Sequence, residues 1–158
     1  MIGGRIQVAL RHWGLTAIIG ALAVCACAYG DAVTNAYATK AEAEQSGAVD
    51  RGWVPKGLPA STHELREAHS PEGNRIWGLF NFEPREGDAL RALLQPEEIP
   101  ATGLRPAIPP RIEWWPLLLR GTLNADQIKT ASLQLYRTKD GVLVMVVNWK
   151  QGRAYYWN

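Results

Sequence analysis

A continuous apolar run near the C terminus, VLVMVV at residues 142–147, sets the first requirement on the fold. A strand with one face in water alternates apolar and polar side chains, whereas a strand covered on both faces is apolar throughout. We therefore expect residues 142–147 to form a central strand of a sheet, with other parts of the chain packed above and below it.

Turn residues on both sides of this run predict two antiparallel hairpins. SLQLYRT at residues 132–138 reads as a strand, and Lys139-Asp140-Gly141 after it suits a hairpin turn. Gln151-Gly152 then turns the chain into RAYYWN at residues 153–158. The C-terminal third is thus predicted to be three consecutive antiparallel strands.

A further hairpin is expected upstream. SPEGN at residues 70–74 is a turn by composition, and RIWGLFNFE at residues 75–83 alternates like a strand. Ser61 and Glu64 would suit a helix capping box. The segment Thr62–Ala68 nevertheless fits a strand better, because it leads into a turn and a second strand.

Helical segments complete the predicted domain. Residues 31–50 are rich in Ala, Glu and Lys, which predicts a weakly amphipathic helical linker. A helix from about Arg85 to Leu94 carries a stripe of leucines on one face. Five of the ten prolines make residues 95–110 an irregular loop. Residues 51–158 therefore predict an α+β domain, an antiparallel sheet with one or two packed helices.

The first 30 residues are typical of a signal peptide or a membrane anchor. Arg5 and Arg11 form a basic start, and the apolar run Trp13–Tyr29 follows without a charge. This run contains 17 residues, which is at the lower limit for a membrane-spanning helix. We expect a signal or anchor helix over residues 1–30, ahead of the domain.

Three outcomes stay open for the end of this run. ACA at residues 26–28 resembles a signal-peptide cleavage site, which would release the chain. VCAC at residues 24–27 resembles a bacterial lipobox, in which Cys27 would carry lipid. In the third outcome the helix stays in the membrane. All three predict the bacterial cell envelope, with the protein facing the periplasm and with the membrane as a partner wherever it is tethered.

Cysteine positions and charge exclude several functional classes. Both cysteines, Cys25 and Cys27, lie in the first 30 residues, so we expect no disulfide, thiolate nucleophile or cysteine metal ligand in the domain. Arg5 and Arg11 are two of the 17 basic residues, and all 15 acidic residues follow Cys27. The domain is consequently neutral and lacks the basic surface that nucleic-acid binding requires.

The segment STHELREAH at residues 61–69 comes close to a zinc-protease motif. That motif places two histidines at positions i and i+4 on one helix, whereas the residue four after His63 is Glu67. On a strand, His63 and His69 would lie about 20 Å apart, which is too far to share a zinc ion. We interpret the segment as a solvated hairpin edge with charged side chains facing water, and we predict no metal, cofactor or catalytic residue.

Tryptophan is unusually frequent, and two tryptophans adjoin. Trp114 and Trp115 sit in one short turn and cannot both point inward, so we expect at least one of them to be partly exposed. Exposed tryptophan often marks an interface or a sugar-stacking surface. We therefore predict an interaction surface at Trp114 and Trp115, for an envelope protein or a polysaccharide.

One long stretch resembles a known family. SGAVDRGWVPKGLPASTHELREAHSPEGNRIWGLFNFEP at residues 46–84, with WWP and the terminal AYYW, resembles the YbbD head domain of small exported bacterial proteins. The shared pattern is Gly-Trp-x-Pro, Leu-Pro, a hairpin with an asparagine in its turn (here Asn74) and an aromatic tail. The resemblance covers about Ala43–Glu83. It implies an envelope location and no known activity, and it carries over no catalytic residues.

These observations favour a membrane-tethered envelope protein that acts as a non-enzymatic binding domain. The alternative is a periplasmic inhibitor or immunity protein against a toxin or a cell-wall hydrolase, which small size and export would suit. A wall-active hydrolase is the third hypothesis, although the sequence shows no nucleophile elbow and no phosphate-binding loop.

Overall fold

The computed structural model describes residues 32–109 and 111–158, and these residues build one antiparallel six-stranded sheet in the order β1-β2-β3-β6-β5-β4. The strands are β1 (Val33–Thr39), β2 (His63–His69), β3 (Ile76–Asn81), β4 (Gln134–Arg137), β5 (Val144–Asn148) and β6 (Arg153–Trp157). The helices are α1 (Lys40–Gln45), α2 (Gly87–Arg91) and α3 (Ala125–Thr130), with 3₁₀ turns at Pro84–Glu86 and Leu117–Leu119. An α+β fold with an antiparallel sheet is confirmed.

The predicted N-terminal helix and Cys27 lie outside the described residues. Within the described ranges, no helix combines the length and the apolar character that crossing a bilayer requires.

The C-terminal strands follow the predicted pattern. Every residue of β5 is buried, as expected for a strand covered on both faces, and β5 lies inside the sheet between β4 and β6. At the β4–β5 turn the Thr138 N–H donates to the Leu143 carbonyl at 3.0 Å, and the Gly141 N–H donates to the Thr138 carbonyl at 2.8 Å. The predicted turn at residues 139–141 is therefore confirmed.

The upstream hairpin is also confirmed, but its predicted position at the sheet edge is wrong. β2 and β3 pair in antiparallel fashion, with His69 opposite Ile76. β2 is not an edge, because β1 pairs along its other side. Its side chains alternate between the two faces of the sheet, and Glu67 and His69 lie on the covered first face, so both are buried instead of facing water.

The helix predicted for residues 31–50 is wrong over its first part. Residues 33–39 form β1, which pairs with β2 in a register that sets Val33 opposite His69 and Thr39 opposite His63. The helix begins only at Lys40, where the Thr39 Oγ1 accepts from the Glu42 N–H at 3.3 Å. Backbone pairing with β2 has thus outweighed the helical propensity of a short alanine-rich segment.

Two apolar layers cover the sheet. The first face contains Phe80, Met145 and Tyr156. It packs against α1, against the loop between α1 and β2, and against α2. The second face contains Trp77, Val146 and Trp157 and packs against residues 99–133. The predicted helix at Arg85–Leu94 is split into a 3₁₀ turn and the short α2, followed by the buried Leu94.

α3 is a helix that the sequence analysis did not include. It contributes a single buried side chain, Ile128, so it lacks an amphipathic stripe. Its start does carry a local signal, because the Asn124 side chain accepts from the Gln127 N–H at 3.0 Å.

Candidate functional site: a groove beside Trp114

The acidic and basic side chains of β2 are divided between two environments. Glu67 and His69 point to the first face of the sheet, beneath α1 and the loop that follows it, and both are buried. Glu64 and Arg66 are exposed and line a groove on the other side. The segment that resembled a metal motif thus contributes to a buried polar cluster and to a surface site.

The buried cluster is a glutamate held by two partners. Glu67 Oε1 accepts from Asn35 Nδ2 at 2.6 Å, and Glu67 Oε2 lies 3.1 Å from His69 Nδ1. Asn35 sits directly opposite Glu67 on β1, so strand pairing brings these groups together. A buried carboxylate is strongly destabilising unless it is hydrogen-bonded, and this one has a partner for each oxygen.

Aromatic side chains close the cluster. The Trp53 ring stacks on His69 at a centroid distance of 3.7 Å, and the Arg51 guanidinium lies 4.4 Å from the centre of the Trp53 ring. The Tyr156 hydroxyl donates to the Trp53 carbonyl at 2.9 Å. Burial, together with the nearby Glu67 charge, raises the pKa of Tyr156 well above its ordinary value. The arrangement is therefore a packed part of the core.

The other histidine of the segment is separate from this cluster. His63 Nδ1 lies 2.9 Å from the Ser61 carbonyl, and His63 sits opposite Asn81 at the far end of β2 from His69. Within the part of the chain that the structure describes, no group of three histidine, cysteine or acidic side chains could hold a metal ion.

The groove begins at an irregularity in β2. Glu64 has a φ of +48°, and the pairing with β3 shifts between His63 and Arg66. Left-handed backbone is unfavourable for a residue with a β-carbon, and strain of this kind is concentrated at functional sites. Here the bulge turns Glu64 toward β3, where its Oε2 accepts from Asn81 Nδ2 at 2.6 Å.

A short chain of hydrogen bonds crosses the groove from this glutamate. Asn81 also accepts a hydrogen bond from Arg153: the Arg153 Nε–H donates to the Asn81 Oδ1 at 2.9 Å. Glu64 therefore fixes Asn81, and Asn81 fixes Arg153. The guanidinium keeps its two terminal nitrogens for other partners, because the bond to Asn81 uses only Nε.

The groove has a volume of about 480 Å³ and lies across four strands. Ala36 and Ala38 of β1 leave room above the sheet, and Leu79 adds an apolar patch. Trp114 forms a wall from the loop between α2 and α3. The small side chains on β1 explain why the second face is open here, while its centre is covered by Trp115.

Two of the three charged residues that line the groove are arginines. Neither Arg66 nor Arg153 has a carboxylate within 4.0 Å among the described residues. The third charged residue is Glu64, one of whose oxygens is bonded to Asn81. The groove is thus positively charged although the domain as a whole is neutral, a contrast that favours an anionic ligand.

The two adjacent tryptophans have different environments. Trp115 is 1 % exposed and donates its Nε1–H to the Leu119 carbonyl at 3.0 Å. Its ring also meets the edges of Tyr155 and Trp157, at centroid distances of 5.9 Å and 6.0 Å. Trp114 is partly exposed and tilts against Trp115. The expectation that one ring is partly exposed is confirmed: Trp114 is partly exposed, and Trp115 is buried.

A larger cavity, of about 660 Å³, lies between α3 and β4 and is bordered by Trp149. The ring of Trp149 is already occupied, because the Arg91 guanidinium lies 3.9 Å from its centre and the ring packs against Phe82 and Tyr136. The Trp114 ring, by contrast, is partly exposed and tilts against Trp115. We therefore select the smaller groove, which we call the Trp114 groove, as the candidate site.

The sequence pattern indicates Trp114 but not its partners in the groove. Arg66 and Arg153 lie on strands that are not adjacent, so only the strand order β2-β3-β6 brings them to one groove. A usable signal did exist, since Arg153 follows a predicted turn and belongs to a strand that ends in three aromatic residues, 155–157.

One comparison with known proteins gives a match. Residues 31–81 match the family model of the YbbD head domain, which confirms the resemblance over about a third of the chain. The matched part contains β1 to β3 and with them Glu64, Arg66 and Leu79 of the groove, whereas Trp114 and Arg153 follow it. No curated protein and no solved structure matches the chain.

Proposed function

We propose that this chain is a non-enzymatic binding domain of the bacterial cell envelope and that the Trp114 groove is its binding surface. One observation carries this proposal: a partly exposed tryptophan borders a groove whose two arginines have no acidic partner among the described residues. Aromatic and arginine side chains contribute most to recognition at binding sites. A groove that combines them is suited to hold a ligand.

Binding is favoured over catalysis by the state of the acidic groups. The Glu67–His69 pair resembles a general acid–base pair, but both side chains are buried and neither cavity described above is lined by them. The Trp114 groove has one acidic residue, Glu64, whereas a glycosidase of the usual kind needs two. Glu64 also has a clear structural role, since it holds Asn81.

The envelope location is supported by the N-terminal sequence. Two arginines followed by a charge-free apolar run are the pattern of an export signal or an anchor. Mass spectrometry of the native N terminus tests this part of the proposal. An acylated Cys27, a terminus at Ala28 or Tyr29, or an uncleaved chain in the membrane fraction would each support it, whereas an intact chain in the cytosol would contradict it.

The binding surface is tested with the full-length chain in mild detergent and an envelope fraction of sacculi and membranes. Trp114→Ala is expected to reduce retention by the envelope fraction about tenfold, because it removes the aromatic wall of the groove. Leu117→Ala is the matched control, since Leu117 belongs to the same loop, is 85 % exposed and does not line the groove. Equal retention of all three proteins would exclude the groove as the binding surface.

A further inference from the structure

Resting on the proposed function, we infer that the ligand of the Trp114 groove is an oligosaccharide that carries carboxylate groups. In this arrangement a sugar ring stacks on Trp114, and carboxylates along the chain are bound by Arg66 and Arg153. Three features of the groove support this ligand class. They are two arginines with no carboxylate within 4.0 Å among the described residues, the hydrogen-bonded chain that holds Arg153, and the partly exposed ring of Trp114.

The arginines provide the recognition of an anion. A guanidinium is planar and binds a carboxylate through two parallel hydrogen bonds. Arg153 is held in place by Asn81, which in turn is held by the strained Glu64. A cation that is already oriented loses less entropy when the ligand binds, so the strain at Glu64 has a use in this site.

The spacing of the arginines suits a chain of sugars. Arg66 on β2 and Arg153 on β6 are separated by β3 and are displaced by two positions along the strands. Strand spacing and rise place their Cα atoms about 12 Å apart. A chain of acidic sugars can offer a separate carboxylate to each arginine across this distance.

The polar lining favours a sugar over a protein partner. The centre of a protein–protein interface is mostly apolar and depleted of glutamate, whereas Glu64 lies within this groove and its polar lining extends to Arg153. Sugars need the opposite combination, an apolar ring face against an aromatic side chain and hydroxyl groups against planar polar groups. Trp114 supplies the first, and the guanidinium groups of Arg66 and Arg153 supply the second.

The test measures binding of three soluble probes to the full-length chain in mild detergent by calorimetry. The probes are tetragalacturonate, its methyl ester and tetraglutamate, which respectively offer sugar with carboxylate, sugar alone and carboxylate alone. We expect tetragalacturonate to bind at least about tenfold more tightly than either of the others, because only it satisfies both Trp114 and the arginines.

Variants test which residues recognise the carboxylate and which recognise the sugar ring. Arg66→Gln and Arg153→Gln should each weaken tetragalacturonate binding about tenfold and leave methyl-ester binding unchanged. Trp114→Ala should weaken both. Arg137→Gln is the matched control, because Arg137 is exposed on β4 at the opposite edge of the sheet. Circular dichroism confirms that each variant is folded.

The possible failures are distinguishable. If the methyl ester binds as tightly as tetragalacturonate, the groove does not recognise the carboxylate. If tetraglutamate binds as tightly, the groove does not recognise the sugar. If no probe binds while Trp114→Ala still reduces retention by the envelope fraction, the ligand class is wrong and the proposed binding surface stands. A loss of retention caused by Leu117→Ala would instead indicate a protein partner and overturn the glycan.

Discussion

Replacing Gly78 with alanine is expected to destabilise the protein by more than about 3 kcal/mol. Gly78 lies in β3 directly opposite Tyr156 of β6, and the tyrosine ring crosses over it. A β-carbon at position 78 would stand 1.9 Å from the Tyr156 Cζ and 2.2 Å from its hydroxyl oxygen. Atoms in contact are normally about 3.5–4.0 Å apart, so either the strand or the ring has to move.

Neither can move at low cost. Tyr156 is 0 % exposed, donates to the Trp53 carbonyl at 2.9 Å and packs against Phe80. β3 and β6 are the two central strands of the sheet. Overpacking by an extra methyl group usually costs about 1–3 kcal/mol, and so close a contact in a rigid position should exceed this. Such a cost is a large part of the total stability of a folded domain, which is about 5–15 kcal/mol.

Gly87→Ala is the matched control for this prediction. Gly87 is also buried, but its φ is −55° at the start of α2, and a β-carbon there would meet Trp149 at an ordinary 3.5 Å. Alanine should be neutral or stabilising by up to about 1 kcal/mol, because it favours the helix. Thermal unfolding followed by circular dichroism measures both variants. A Gly78→Ala protein that melts cooperatively near the wild-type temperature would contradict the position of the Tyr156 ring.

The parts of the fold that the sequence predicted correctly are encoded locally. The hairpins β2–β3 and β4–β5 each combine alternating or continuous apolar residues with a turn of suitable composition. Their partners are neighbours in the sequence, so the pattern and the turn determine the pairing. The same reasoning placed β6 after the turn at residues 151–152.

β1 could not be predicted in this way, because its structure depends on a distant partner. Its alanines and threonines are weak indicators of any structure, and the Ala-Glu-Lys composition that follows favours a helix. One local signal was present: Thr39 and Glu42 have the spacing of a capping box and place the helix start at Lys40. That spacing excludes the preceding residues from the helix.

The candidate site was even less accessible from the sequence. The sequence predicts that Glu67 and His69 face water, because both residue types are usually exposed. Nothing near them in the sequence indicates that Asn35, 32 residues away, donates a hydrogen bond to the Glu67 carboxylate. Trp114 could be identified because two adjacent side chains cannot share one direction. Sequence alone could not decide which of the two is buried, since that depends on Tyr155 and Trp157.

Trp115→Ala is expected to destabilise the domain by about 3–5 kcal/mol, the usual cost of truncating a buried tryptophan. The indole fills the space between residues 99–133 and the second face of the sheet, where it contacts both Tyr155 and Trp157. Its Nε1–H bond to the Leu119 carbonyl also fixes the 3₁₀ turn at Leu117–Leu119. Thermal unfolding should show a midpoint lower by roughly 10–15 °C.

Trp114→Ala is the matched variant, because it removes the same side chain from the next position along the chain. Trp114 is partly exposed and packs at the margin of the second-face core beside Trp115, so its loss should cost clearly less than the loss of Trp115. Equal destabilisation by the two variants would contradict the difference in burial. The comparison also decides how binding data can be interpreted. If only Trp115→Ala lowers the melting temperature, then a loss of binding caused by Trp114→Ala reports on the groove, because the sheet beneath it is intact.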